Sequence, residues 1–95
     1  MSDSEPAPPA DLGQAARGFS GRILGLRPLA AHGLPAEELE RRLIELGFVE
    51  GARVEVLHTG PFGGDPIAIR VQTTTVALRR SEAAFILVGP AGSAS

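Results

Sequence analysis

Three stretches in the second half of the chain alternate between apolar and polar residues: 53–59, 67–71 and 74–79. This period of two is typical of β-strands with one buried face. A two-residue turn at Gln72 and Thr73 joins the last two stretches. It places apolar residues opposite one another in the inner pairs Val71 with Thr74, Ile69 with Val76, and Ile67 with Leu78. The pattern therefore predicts a strand followed by an antiparallel hairpin.

The first of these strands carries one apolar exception. Strict alternation turns Val54, Val56 and His58 inward and leaves Leu57 as an apolar residue on the outer face. In the hairpin, a two-residue turn requires positive φ. We therefore expect Thr73→Gly to stabilise the fold.

A helix is predicted over residues 35–46. Leu39, Leu43 and Leu46 recur at spacings of four and three and share one face, and most of the remaining positions are charged. Ile44 stands beside this leucine stripe. Gly47 can take a left-handed conformation and end the helix in a Schellman motif, with Phe48 packed on Leu43.

Shorter elements complete the predicted order. Residues 19–26 combine branched residues with glycines and suggest a bent strand. Ser81 can cap one helical turn over residues 81–84, and residues 85–88 form a last short strand. Five short strands with one inserted amphipathic helix and a helical turn predict a mostly β fold. We expect a small closed barrel, because closure lets so few strands avoid open edges.

Composition supports one small domain. The chain has 95 residues, of which 43% are hydrophobic and 21% charged, and a chain of this length has room for a single core. Residues 1–17 are rich in Pro, Ala, Asp and Ser and are predicted to be a disordered tail, residues 18–88 the domain, and residues 89–95 a flexible C-terminal tail. The first residues lack the pattern of a signal peptide and the longest apolar run is 83–88, which favours a soluble, cytoplasmic protein.

The residues offer little for catalysis or metal binding. There is no cysteine and no Gly-x-x-x-x-Gly-Lys-Ser/Thr loop, and no serine stands in a nucleophile motif, so we expect no enzyme. The two histidines, His32 and His58, are far apart and belong to no ligand motif. His58 is interpreted as a barrel-edge residue with a satisfied hydrogen bond and His32 as an exposed loop residue. We expect no cofactor and no metal site, and only weak binding of Fe(II) or Zn(II).

Four segments together resemble the FeoA family. In the family's order and spacing, the chain has a helix ending in Leu-Gly, a glycine before a strand, a Pro-hydrophobic-Gly loop and a Leu-Arg-x-x-Glu-Ala step, at 41–48, 51–56, 60–71 and 77–84. The resemblance implies an SH3-like barrel and a non-enzymatic cytosolic accessory of bacterial ferrous iron uptake that binds the transporter FeoB. The resemblance also implies transition metal ion binding, but only at the level of the family as a whole.

An SH3-like barrel can receive a peptide or a protein surface on its loops and clefts. Candidate partner-binding residues are those whose exposure lacks a core explanation: Ile44, Leu57, Pro61 and Phe62. Phe62 is the preferred anchor because aromatic residues dominate interface energetics. The alternative is that Phe62 plugs the end of the barrel and that Ile44 packs under the N-terminal tail.

Two other functions stay open. Arg70, Arg79 and Arg80 could form a basic patch for single-stranded nucleic acid, but the net charge is -2 and the chain has no Trp or Tyr and only four Phe for stacking. We therefore expect no nucleic-acid partner. A self-associating regulatory domain is the third possibility, and we expect a monomer or a weak homo-oligomer.

Overall fold

A computed structural model describes residues 9–27 and 35–90. His32 and the outer parts of both predicted tails lie outside the described residues. The elements in chain order are a 3-10 helix Leu12–Gln14, β1 Ser20–Leu26, α1 Ala36–Leu46, β2 Arg53–Thr59, β3 Ile67–Val71, β4 Thr74–Leu78, α2 Arg80–Ala83 and β5 Ile86–Pro90. None of the helices in the described residues is long and apolar enough to cross a membrane.

The five strands form one antiparallel sheet in the order β4-β3-β2-β1-β5. The mostly β prediction with one inserted helix is confirmed. The hairpin of β3 and β4 has the predicted register, with Val71 opposite Thr74 and Ile67 opposite Leu78. Strand β1 is bent as predicted, because its register with β5 shifts between Ile23 and Gly25.

The prediction that His58 faces inward is wrong. The register of β2 with β3 shifts between Val56 and His58, so that Leu57 is the extra residue of a β-bulge. Beyond the bulge the two faces of the strand are exchanged, and His58 is exposed. Leu57 itself is half-buried.

Helix α1 ends as predicted. Gly47 has φ 109°, its N–H donates to the Ile44 carbonyl oxygen at 3.0 Å, and the Phe48 N–H donates to that of Leu43 at 2.9 Å. These are the two bonds of a Schellman motif. Leu39, Leu43 and Phe48 are buried, whereas Leu46 is 38% exposed. The prediction that Leu46 belongs to the buried stripe is therefore wrong, since only Leu39 and Leu43 of the three leucines join the core.

Two local predictions also need correction. The positive φ of the hairpin turn is at Gln72, with φ 57°, and not at Thr73. Helix α2 starts at Arg80, with Arg79 rather than Ser81 as its cap. The carboxylate of Glu82 accepts a hydrogen bond from the Arg79 N–H at 3.0 Å, which fixes this earlier start.

Part of the predicted N-terminal tail is folded. Residues 10–15, which we call the N-terminal strap, run beside β5: the Val88 N–H donates to the Ala10 carbonyl oxygen at 3.1 Å, and Asp11 pairs with Leu87. Leu12 and Ala15 are buried in the core. The carboxylate of Asp11 accepts a hydrogen bond from the Arg27 guanidinium at 3.1 Å. The packed domain therefore begins before residue 18.

The core lies between one face of the sheet, helix α1 and the strap. Its largest fully buried side chains are Phe48, Phe85, Leu12, Ile23, Leu43, Ile67, Ile69 and Ile86. Three of the four phenylalanines face this core or its margin, since Phe19 packs against it. The fourth, Phe62, does not.

Candidate partner-binding surface

Phe62 lies at the tip of the connection between β2 and β3, and its side chain is 81% exposed. We call residues 60–66 the Phe62 loop. Gly63 and Gly64 follow with φ 69° and 85°, a conformation that carries the chain away from a regular strand. Pro61 is also exposed. The hypothesis that Phe62 plugs the end of the barrel is therefore wrong.

A cleft of about 340 Å³ lies beside the Phe62 ring. Phe62, Asp65, Pro66 and Arg79 line it, so the loop supplies three of these four residues and the start of α2 supplies the fourth. The cleft thus has an aromatic wall and one cationic side chain. Of these four residues, Phe62 was predicted as a partner contact and Arg79 as part of a basic patch, whereas Pro66 and Asp65 were not predicted to contribute.

Backbone hydrogen bonds close the base of the loop. The Gly60 N–H donates to the Pro66 carbonyl oxygen at 2.8 Å, and the Gly64 N–H donates to the Gly60 carbonyl oxygen at 3.1 Å. A Cβ atom at Gly60 would collide with the Asp65 backbone, so this position requires glycine. The loop is therefore a closed turn and not an open excursion.

Ile44 belongs to a different depression. A groove of about 260 Å³ is lined by Ile44 together with Gly25, Leu26, Glu40, Phe48, Val49 and Glu50. Ile44 is 46% exposed and Val49 is 39% exposed. This groove shares no lining residue with the Phe62 cleft, and Leu57 lines neither. The structure therefore separates the predicted set into two surfaces, with Pro61 and Phe62 on one and Ile44 on the other.

The three arginines of the suggested basic patch are engaged differently. Arg70 lies 3.6 Å from Glu55. The guanidinium of Arg80 donates to backbone carbonyl oxygens, including that of Gly64 at 2.9 Å. Of the three, only Arg79 directs an exposed side chain toward the cleft. Of these three arginines, only Arg79 has a guanidinium without a hydrogen bond or ion pair in the described residues, and proteins that follow a phosphate backbone use several such cations.

Metal ligands are not assembled in the part of the chain that the structure describes. No group of three or more His, Asp or Glu side chains within residues 9–27 and 35–90 could hold a metal ion. His58 is exposed on the far side of the bulge. The described residues therefore do not fit a resident metal, and weak binding of Fe(II) and Zn(II) stays a prediction.

A five-stranded antiparallel sheet with one inserted helix and an exposed loop between two of its strands defines a small SH3-like domain. The chain belongs to the FeoA family, since the family model described as the FeoA domain matches residues 11–90. That match begins at Asp11, in the N-terminal strap. No curated protein sequence matches the chain.

Solved structures of FeoA proteins share the fold. The crystal structure of Stenotrophomonas maltophilia FeoA complexed with zinc is 36% identical, with a TM-score of 0.70 over 85% of this chain and 91% of that one. Iron(II) transport protein A from Clostridium thermocellum is 30% identical, with a TM-score of 0.70 over 86% of this chain and 46% of that one. Chlorobium tepidum FeoA is 29% identical, with a TM-score of 0.69 over 90% and 73% of the two chains.

Proposed function

We propose that this protein is a non-enzymatic, cytosolic accessory of bacterial ferrous iron uptake and that it docks on the cytosolic region of FeoB through the Phe62 loop. Membership of the FeoA family supports the biological setting. The Stenotrophomonas maltophilia relative is described as an SH3 domain protein possibly acting as a bacterial ferrous iron transport activating factor. A binding role needs no reacting group, in keeping with the absence of cysteine and of a nucleophile motif from the sequence.

The observation that carries the proposal is the exposure of Phe62. A phenylalanine that is 81% exposed leaves a large apolar area in water without a folding benefit. Such a side chain gains free energy when a partner covers it, and aromatic anchors are frequent hot spots of interfaces. Pro66 lines the cleft beside the ring, and the closed base of the loop limits the conformational entropy lost on docking.

The test is the variant Phe62→Ala, assayed by calorimetry against the purified cytosolic region of FeoB. We expect a loss of about 2 kcal/mol or more of binding free energy, roughly thirtyfold in affinity. The denaturant midpoint should stay nearly unchanged, because the ring makes no core contact. Leu24→Ala is the matched control, since Leu24 is 60% exposed on β1 and outside both depressions.

Two results would contradict this proposal. Equal affinities of Phe62→Ala and the unchanged protein for FeoB would remove the loop from the interface. Unchanged ferrous iron uptake in cells that carry a stable Phe62→Ala variant would remove the loop from the function.

Ile44 lies in the second groove, away from the Phe62 cleft. We therefore expect Ile44→Ala to reduce the binding free energy for FeoB by less than Phe62→Ala does.

A further inference from the structure

Arg80 joins two segments that are far apart in the sequence. Its Nη1 donates to the carbonyl oxygens of Gly13 at 3.1 Å and Ala15 at 2.8 Å. Its Nε donates to the carbonyl oxygen of Gly64 at 2.9 Å. One planar guanidinium therefore links the N-terminal strap to the Phe62 loop.

The backbone of Arg80 adds a second bond to the same loop. Its N–H donates to Oδ1 of Asp65 at 2.9 Å. Gly64 and Asp65 are consecutive, so both bonds hold the loop immediately after Phe62 and Gly63. Hydrogen bonds with a charged partner are stronger than neutral ones, and this side chain is partly shielded from water.

The loop needs such an attachment because its own sequence is permissive. Gly63 and Gly64 both have positive φ, and glycine populates positive and negative φ with similar ease. The hydrogen bonds of Gly60 and Gly64 close the base of the loop, and an external attachment further restricts the positions that Phe62 can take at its tip. Without that attachment a partner would have to immobilise the tip at a cost in affinity.

We infer that Arg80 is a positioning residue that preorganises Phe62 for docking, and that the N-terminal strap takes part in docking by fixing Arg80. This inference rests on the proposed function of Phe62. It extends the binding apparatus to residues 13 and 15, about fifty positions away in the sequence, which touch neither Phe62 nor its cleft.

The adjacent Arg79 provides a matched control. Its side chain is exposed and makes no hydrogen bond or ion pair within the described residues, although it lines the cleft. Arg79→Met and Arg80→Met remove the same charge and keep a similar apolar stem. Only Arg80→Met removes the side-chain bonds to the Gly64 carbonyl oxygen and to the strap, while the bond from the backbone N–H of residue 80 to Asp65 remains.

Amide hydrogen exchange measures the attachment without any partner. In Arg80→Met the amides of Gly60 and Gly64 should exchange about tenfold faster or more, while amides of β3 change little. Arg79→Met should leave all of them unchanged. If the loss of the strap contacts prevents Arg80→Met from folding, Asp65→Ala removes one of the two loop bonds and should accelerate the same two amides. Unchanged exchange rates at Gly60 and Gly64 in the folded variant would overturn the inference, independently of any result on binding to FeoB.

Binding to the cytosolic region of FeoB then completes a double-mutant cycle. We expect Arg80→Met to weaken binding about fivefold in the otherwise unchanged protein and to have no further effect when Phe62 is already Ala. Equal losses in both backgrounds, or no loss at all while Phe62→Ala is costly, would overturn the positioning role. Faster loop exchange together with no effect of Phe62→Ala would instead refute the proposed docking site.

Discussion

Arg79 and Arg80 are adjacent in the sequence and have different environments. The guanidinium of Arg80 is bonded to three backbone carbonyl oxygens, and that of Arg79 is exposed beside the Phe62 ring. Both were predicted to belong to one basic patch, because two arginine side chains cannot be told apart in the sequence until their tertiary neighbours are known. Carbonyl acceptors in a distant strap leave no local signal in the sequence. The exposed Phe62, in contrast, was identifiable from its position between a proline and two glycines.

Gln72 is the one residue other than glycine with positive φ in the described parts of the chain, at 57°. An L-residue pays about 1–2 kcal/mol for this conformation. Gln72→Gly removes that strain but increases the freedom of the unfolded chain, which costs ~0.4–1 kcal/mol. We expect a net stabilisation of a few tenths to ~1 kcal/mol, read from the midpoint of urea unfolding.

Thr73→Gly is the control for this turn. Thr73 does not have positive φ, so the substitution relieves no strain and should destabilise the fold by about 0.5–1 kcal/mol. If Thr73→Gly stabilised the fold more than Gln72→Gly did, the assignment of the positive φ to Gln72 would be contradicted.

Among the elements, the hairpin and helix α1 were predictable because their signals are periodic and local. The pairs of β3 with β4 and the ending of α1 at Gly47 are confirmed. The bulge at Leu57 was not predictable from the sequence, because a single extra residue exchanges the two faces of a strand without altering its composition. The strap was missed for a related reason: Leu12 is the only large apolar residue between Met1 and Phe19, so this segment shows no apolar period.

Gly47 gives a test of the helix ending. At φ 109° any residue with a Cβ is strained, and the added atom would lie 3.6 Å from a Val71 methyl group. We expect Gly47→Ala to destabilise the fold by about 1–2 kcal/mol in denaturant unfolding. At Gly25, φ lies outside the strained range and a Cβ meets no atom within 4 Å. Gly25→Ala should therefore stay within ~0.5 kcal/mol of the unchanged protein; equal losses at both positions would show that φ is not the cause.

For the whole molecule, the strap changes where the domain begins. Leu12 has no exposed surface, Ala15 has 1%, and Asp11 is bonded to Arg27 at the end of β1. A chain of 95 residues has a small core, so one additional buried leucine is a sizeable part of its stability. The family match from residue 11 agrees with this earlier boundary.

Leu12→Ala measures that contribution. The truncation leaves a cavity among well-packed neighbours, and we expect a loss of about 2–5 kcal/mol in the free energy of unfolding. Leu24→Ala, at a side chain that is 60% exposed, should cost less than ~1 kcal/mol. Similar small losses from both variants would mean that the strap is not packed in solution.

The hydrogen bonds between the strap and β5 also affect the tendency of the protein to aggregate. Strand β5 stands at one end of the strand order, and the Val88 N–H and the backbone around Leu87 are occupied by Ala10 and Asp11. If the strap were removed, these groups would be exposed on an edge where a strand of another molecule can add, the geometry from which intermolecular sheets and aggregates grow. The strap therefore covers this free edge of the sheet, and we expect it to hinder pairing between strands of separate copies there.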